Sequence, residues 1–292
     1  MNTELLLAFD DERHLAEPLA QALGVPLRGI ERHRFPDGES RLRLPPALPR
    51  RVALLRGLQR PNDKLAELLI AAPAARELGA AQLTLVCPYL AYMRQDMAFT
   101  PGEAVSQRHV GRMLAAWFDA VITVDPHLHR VATMDEVLPG KRGLALSAAP
   151  LLGAWAARHA SRPILLGPDE EAAPWVRSAA AAQRLQHATC IKQRRGDREV
   201  QVTLPGLDFH GREVVLIDDV ASTGRTLAVT AEALRARGAS AVDVAVTHAL
   251  FVDDAVAHLE RAGVRHVWSS DSVPHPSNVV SLVPLLAAAL RG

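Results

Sequence analysis

The sequence predicts an α/β protein of two related lobes, each a mostly parallel sheet covered by helices, with a hairpin projecting from the first lobe. Three observations lead there. Short apolar runs of strand length alternate along the chain with longer segments of helical character. The 292 residues amount to about twice a typical domain and fall into two α/β stretches of similar size, with a Pro- and Gly-containing break around residues 138–144. One segment, 30–44, breaks the rhythm, because two alternating stretches flank the turn tripeptide Pro36-Asp37-Gly38.

In order, strands are expected at residues 5–9, 52–55, 83–87 and 121–124 in the first lobe, and at 164–166, 214–217, 242–246 and 264–268 in the second. Helices are expected at 63–78, 106–117, 148–159, 171–185 and 226–237, the last stopped by Gly238. The lobes are expected to divide as residues 1–143 and 144–292, with a ligand cleft between them. The hairpin need not join the main sheet.

Composition narrows the function. Apolar residues make up 49% and charged residues 22%, with Lys+Arg 33 against Asp+Glu 32, so no overall charge favours a nucleic acid or a membrane and a small partner is expected. The two cysteines, Cys87 and Cys190, each end an apolar run, which suits buried thiols in a reducing compartment and excludes a disulfide framework. The N-terminal apolar stretch stops at Asp10-Asp11 without a basic leader, and no apolar run reaches membrane-spanning length; a cytoplasmic location is expected.

The most informative segment runs from the strand at 214–217 into Asp218-Asp219-Val220-Ala221-Ser222-Thr223-Gly224-Arg225-Thr226 and then into an amphipathic helix. In an open parallel sheet, ligands sit beyond the carboxyl ends of the strands, where this loop falls. Its backbone N–H groups can converge on one phosphate, aided by the hydroxyls of Ser222, Thr223 and Thr226 and by the helix N-terminus. Asp218 and Asp219 repel a second anion; they suit sugar hydroxyls, or a divalent cation reached through water. A surface turn with an acidic cap would explain a lone Thr-Gly pair, but not the full run. The run resembles the phosphoribosyl pyrophosphate signature shared by type I phosphoribosyltransferases and phosphoribosyl pyrophosphate synthetases (ribose-phosphate diphosphokinases).

The upstream half points to the synthetases. Phe35-Pro36-Asp37-Gly38-Glu39 resembles their Phe-x-Asp-Gly-Glu hairpin, which serves the adenine site: Phe35 offers a stacking face, and Asp37 and Glu39 can accept from an exocyclic amine. Pro88-Tyr89-Leu90-Ala91-Tyr92-Met93-Arg94-Gln95-Asp96 is similar to Pro-Tyr-x-x-Tyr-x-Arg-Gln-Asp, which implies that Arg94, Gln95 and Asp96 belong to the ATP site, an Arg being suited to triphosphate. Val124-Asp125-Pro126-His127 resembles Val-Asp-Leu-His, whose histidine lies by the metal-bound phosphates. His129 completes a His-x-His pair, but no further Cys or His at zinc spacing lies nearby. Glu103-Ala104-Val105-Ser106 loosely matches the family's Glu-Pro-Ile-Ser.

In the second lobe Gly167-Pro168-Asp169 resembles Ser-Pro-Asp, implying a metal role for Asp169 beside that of His127. Glu170-Glu171 stands where the family has Gly-Gly, and two added carboxylates near a pentose phosphate must point away or hold cation. Lys192-Gln193-Arg194-Arg195-Gly196-Asp197-Arg198 resembles the catalytic arm with its Lys-x-Arg pair, placed on Lys192 and Arg194 with Arg195 as substitute; a solvated basic hairpin is the plain alternative.

These blocks occur in family order across nearly the whole chain, and no Gly-x-x-x-x-Gly-Lys-Ser/Thr loop occurs. The resemblance implies transfer of the diphosphoryl group of ATP to O1 of ribose 5-phosphate, with Mg²⁺ as cofactor, in a homo-oligomer assembled from dimers. A type I phosphoribosyltransferase and a catalytically silent regulatory homologue are the alternatives, the second supported by Glu170-Glu171.

Overall fold

The computed structural model describes residues 2–128, 130–195 and 199–292, without the side chains of 193–195 and 199–200. The chain forms two compact units, residues 1–146 with 282–292, and residues 147–281. The division therefore falls three residues after the expected 143/144 boundary, and the final segment belongs to the first unit rather than the second.

Unit one contains β1 (Leu5–Phe9), α1 (Arg13–Leu23), β2 (Leu27–Arg34), β3 (Ser40–Arg43), β4 (Arg51–Leu55), α2 (Pro61–Glu77), β5 (Gln82–Cys87), α3 (Ser106–Trp117), β6 (Ala120–Val124), α4 (Met134–Val137) and β7 (Arg142–Leu146). Its seven-stranded sheet has the order β3-β2-β1-β4-β5-β6-β7, parallel except for the β2–β3 pair. Every residue of β1 and of β6 is buried, because a strand covered on both faces needs an unbroken apolar run. The expected break at 138–144 instead contains the start of β7, which pairs with β6. The hairpin also joins the main sheet: β2 lies parallel to β1 from Leu27 to Ile30, and only the ribbon beyond Ile30 projects.

Unit two contains α5 (Ala149–His159), β8 (Ile164–Gly167), α6 (Ala173–Ala181), β9 (His187–Thr189), β10 (Ile191–Arg195), β11 (Glu199–Thr203), β12 (Glu213–Ala221), α7 (Arg225–Ala236), β13 (Ala241–Ala249), α8 (Ala255–Arg261), β14 (Val264–Ser270) and β15 (Asn278–Val280). The six-stranded sheet β15-β14-β13-β12-β8-β9 is parallel throughout, and β10–β11 is a separate antiparallel ribbon. Alternate residues feed two cores: Ile164, Leu166, Val214 and Leu216 pack with Leu227, Ala231 and Leu259 of α7 and α8, whereas Leu165, Val215 and Ile217 pack with Leu152, Ala156 and Val176 of α5 and α6. Helices α5 and α6 approach so closely that a Cβ on Gly153 would stand 2.0 Å from the carbonyl oxygen of Ala179.

The helix expected at 171–185 is shorter. A 3₁₀ turn at Glu170–Ala172 precedes it, Pro174 sits in its first turn, and the backbone turns away at Arg184, whose φ is +51°. Helix α9 (Val283–Arg291) packs on α1, and the Arg291 guanidinium donates to the Ala22 carbonyl. Both cysteines are buried and outside any disulfide, Cys87 Sγ donates to Tyr89 O at 3.0 Å, and burial raises the Cys190 thiol to about 12. Among the described residues no helix is long and apolar enough to cross a membrane.

Candidate functional site

The carboxyl edge of the sheet in unit two carries Asp169 beyond β8, Asp218 and Asp219 within β12, and the loop 222–224 leading into α7. Gly224 caps α7 with φ +69°, a left-handed conformation that side chains resist. No side chain caps the helix, and the N–H groups of residues 223–226 have no partner among the described residues. The loop is held from behind, where Val252 N–H donates to Ser222 O at 3.1 Å and Phe251 N–H to Ala221 O at 3.0 Å. Thr223 and Arg225 are exposed, while Ser222 and Thr226 are half-buried. Unpartnered donors at a helix N-terminus suit a phosphate.

Beside it the carboxylates crowd together. Burial pushes the Asp218 carboxyl well above the usual aspartate range, and the charges of Asp219 and Asp169 push it the same way, although the Asp219 N–H donates to it at 3.0 Å. Asp219 is itself buried. Asp169 accepts the Ala172 N–H at 3.3 Å through one oxygen and the Lys192 ammonium at 2.9 Å through the other. Lys192 thus comes from the ribbon to the edge of the acidic group, which is where an arm residue is useful. In the ribbon the backbone of Arg194 pairs with Val200 and that of Arg195 with Glu199. The side chains of Arg194 and Arg195, with Gly196, Asp197, Arg198 and His129, lie outside the described residues. Glu170 and Glu171 are exposed, so the two added carboxylates do not crowd the acidic group from within.

In unit one the expected residues lie at three strand exits. Phe35, Asp37 and Glu39 occupy the exposed tip of the β2–β3 hairpin, where Phe35 N–H donates to Glu39 O at 2.8 Å and Glu39 N–H to the Asp37 carboxylate at 3.1 Å. The His33 ring meets Phe35 edge-on at 4.8 Å and steadies it, leaving Phe35 38% exposed for a stacking partner. Arg94, beyond β5, is exposed, and its guanidinium is without an ion pair among the described residues. Gln95 turns its amide onto its own loop, donating to Met97 O at 3.0 Å and Glu103 at 3.3 Å. Beyond β6, Asp125 is buried with φ +37°, and half-buried His127 follows.

Asp96 requires a correction. Its side chain is 1% exposed and paired with Arg130 at 2.7 Å, so it braces this loop from within instead of facing a nucleotide. Its other oxygen is buried without a hydrogen-bond partner. Arg130 is thus a brace of this loop that motif matching does not reveal, and Glu103, matched to the Glu-Pro-Ile-Ser block, holds the same loop. Glu103 accepts from Thr100 Oγ1 at 2.6 Å and Phe99 N–H at 2.8 Å, which hold its carboxyl below the usual range.

Among the described residues no three His, Cys, Asp or Glu side chains come together as a ready metal cage. The donors at the two edges, the carboxylates of Asp169, Asp218 and Asp219 and the imidazole of His127, suit a hard ion that takes most of its coordination from water and phosphate oxygens, as Mg²⁺ does. The uncompensated Asp218 carboxyl is the observation that fits such a cation.

A parallel sheet with an acidic pair and an uncapped Ser-Thr-Gly loop at its carboxyl edge is the arrangement of the phosphoribosyltransferase class. Two family descriptions match, the N-terminal domain of ribose phosphate pyrophosphokinase over residues 5–117 and the phosphoribosyl transferase domain over 151–283. The chain is 37% identical to a ribose-phosphate pyrophosphokinase of Methanopyrus kandleri over 98% of both chains, and 34% identical to that of Halobacterium salinarum over 98% of this chain and 100% of the other. The crystal structure of phosphoribosylpyrophosphate synthetase from Mycobacterium smegmatis superposes with a TM-score of 0.85 at 25% identity, covering 99% of this chain and 98% of that one. The chain belongs to the ribose-phosphate pyrophosphokinase family, and it is an enzyme of that activity.

Proposed function

We propose that the chain moves the β,γ-diphosphoryl group of ATP to O1 of ribose 5-phosphate, using the residues of unit one for the nucleotide and those of unit two for the pentose. The observation that carries this assignment is the uncapped α7 N-terminus beside Asp218 and Asp219, with Lys192 poised at Asp169. The 5-phosphate rests on the N–H groups of residues 223–226 and the hydroxyls of Ser222, Thr223 and Thr226. Asp218 and Asp219 accept from the ribose hydroxyls. Phe35 stacks on the base, Asp37 and Glu39 accept from its amine, and Arg94 pairs with the phosphates.

In the reaction the O1–Pβ bond forms, the bridging bond between Pα and Pβ breaks, and AMP departs with the bridging oxygen. The O1 proton passes to a carboxylate of the acidic pair, of which Asp218 has the raised basicity for the task. Lys192, with Arg194 after it in the same strand, neutralises the charge that grows on the transferring oxygens. When bound, Mg²⁺ would supply charge neutralisation and alignment, with Asp169 as a candidate ligand in unit two and His127 as one in unit one. The unit works as a homo-oligomer; Leu69 and Ile70, 53% and 43% exposed on α2, suit burial against another copy.

Incubation with ATP, Mg²⁺ and ribose 5-phosphate should yield AMP and phosphoribosyl pyrophosphate in equal amounts, and omission of the sugar should abolish AMP. Release of ADP, or AMP formation that ignores the sugar, overturns the assignment.

A further inference from the structure

We propose that Arg130 is a positioning residue for the nucleotide. Through the buried carboxylate of Asp96 it fixes the loop that carries His127 against the loop that carries Arg94, and so sets the spacing at which those two groups meet the polyphosphate, without touching it. The inference rests on the reading above that Arg94 and His127 address the nucleotide phosphates.

The two loops leave adjacent strands. β5 and β6 run parallel with Cys87 opposite Thr123, so their exits lie side by side at the carboxyl edge of the sheet. After β5 no helix or strand forms until α3 begins at Ser106, and after β6 none forms among the described residues until α4 begins at Met134. Segments without a ladder of their own take their position from the anchors around them. In the first loop Tyr89 O accepts the Leu58 N–H at 2.8 Å, and Gln107 of α3 donates through its amide to Met93 O at 3.3 Å and through its N–H to Gln95 O at 3.2 Å. The second loop is held where it starts, by Asp125 N–H on Leu146 O at 2.8 Å, and where it ends, by the Ala132 and Thr133 N–H groups on Glu136 at 2.9 and 3.2 Å. Between those ends Arg130 Nη1 donates to Asp96 Oδ1 at 2.7 Å and joins one loop to the other.

The pair sits close to the groups it would set. Asp96 lies two residues after Arg94, and Arg130 three residues after His127. The Asp96 carboxylate is 1% exposed and its second oxygen has no hydrogen-bond partner, so among the described residues its charge is compensated by Arg130, which keeps half of its own surface in water. Both loops also hold a non-glycine residue at positive φ, Tyr92 at +66° and Asp125 at +37°, a conformation that persists where surrounding contacts enforce it. Leu128 and Val131, on either side of Arg130, pack on the core of unit one, as do Tyr89 and Tyr92 in the other loop. Such apolar contact holds the loops down without fixing their direction. For stability alone a buried charge is a poor choice, since an apolar pair of similar volume holds at least as firmly. What the guanidinium–carboxylate bond adds is a defined angle as well as a distance.

Arg130→Met should raise the KM for ATP about tenfold and leave the KM for ribose 5-phosphate within about twofold. It should also lower Tm, because Asp96 is left buried and unpaired. The double variant Asp96→Asn/Arg130→Met removes that stranded charge, so its Tm should return most of the way to the parent value while the KM for ATP stays high. Asp96→Asn alone should raise the KM for ATP too, and its effect and that of Arg130→Met should not add. Arg130→Lys should keep Tm and recover only part of the ATP affinity, since a point charge does not fix direction. Recovery of both Tm and KM in the double variant would show a purely structural pair and overturn the proposal. A raised KM in Arg130→Met with none in Asp96→Asn would make Arg130 a direct phosphate ligand and overturn it as well, and so would equal rises in both KM values. Arg94→Met tests the underlying reading. If it leaves the KM for ATP unchanged, these loops do not bind the nucleotide and the positioning role falls with them. If Arg94→Met weakens ATP while Arg130→Met does not, the positioning role alone is overturned.

Discussion

At the exits of β1 and β4 in unit one, the carboxylates of Asp11, Glu12 and Glu67 meet the cations of Arg32, Arg56 and Lys64, three against three. At the carboxyl edge of β8 and β12 in unit two, Asp169, Asp218 and Asp219 lie together, and among the described side chains the Lys192 ammonium pairs with Asp169. The first group matches its charges one for one, although Arg56 Nε stays buried without a hydrogen-bond partner among the described residues. The second leaves the Asp218 carboxyl under the repulsion of two neighbours, next to a helix N-terminus whose donors have no partner among the described residues. Both are charged sites at strand ends of similar sheets, yet among the described residues the second carries the larger imbalance of charge. Charge burial alone is therefore a poor guide to chemistry, and unbalanced charge beside free donors is a better one.

The largest expected effect falls on the unbalanced group. Lys192→Ala should lower kcat by about a thousandfold while the KM values change little, since an ammonium that meets only the transferring oxygens stabilises the transition state alone. A large KM rise at constant kcat would make Lys192 a ground-state binder and erase the contrast. On the balanced group the effect should be on folding instead. Glu67→Gln leaves Arg56 fully buried and short of one partner, and urea unfolding should show a loss of about 3–5 kcal/mol. A loss below about 1 kcal/mol would mean that water or a shifted neighbour completes Arg56.

A smaller effect separates pentose from nucleotide. Thr223→Val keeps the shape of the loop and removes one hydroxyl, so the affinity for ribose 5-phosphate should fall about tenfold while ATP binding is unchanged. Isothermal titration with each ligand measures this directly. Equal losses for both would move the phosphate seat elsewhere.

The parts legible in the sequence are those in which one physical demand dominates. Strands β1, β6 and β13 are buried along their whole length, so they stand out as apolar runs. β2 and β3 do not, because an edge ribbon mixes exposed charges with one or two inward residues. The helix expected at 171–185 spans 173–181, because Ala182 and Leu185 extend the apolar pattern past its end while the turn at Arg184 is a backbone event that side-chain periodicity does not carry. The return of α9 to α1, more than 250 residues earlier, is tertiary and leaves no local trace. The strand-exit positions of the loop 222–226 and Arg94 and the hairpin-tip position of Phe35 were readable because each follows a recognisable strand or turn pattern. The role of Asp96 was not, since its partner Arg130 lies 34 residues away, and neither was the Arg56 hub, whose carboxylates come from 11, 44 and 45 residues away.

The last prediction turns the contrast into a difference of sign. Asp218 has a carboxyl raised above its unfolded value by burial and by the charges of Asp219 and Asp169, so the folded state binds its proton more tightly than the unfolded chain does. The stabilisation from that proton is complete in acid, below the unfolded aspartate pKa, and is lost as the pH climbs through the raised folded value. Above the ordinary aspartate range the crowded carboxyl is therefore a cost to folding that Asn does not carry. Asp218→Asn should therefore stabilise the ligand-free protein on the order of 1 kcal/mol at neutral pH, a rise of a few degrees in Tm, while activity falls. The gain should shrink as the pH is lowered toward the ordinary aspartate range. Since Glu67→Gln acts on a carboxylate already matched by guanidinium groups, its effect should be a loss at the same pH. If Asp218→Asn also destabilised the protein, the acidic group of unit two would be as well compensated as that of unit one, and its role as a site held ready for a cationic or hydroxyl-bearing ligand would have no energetic basis.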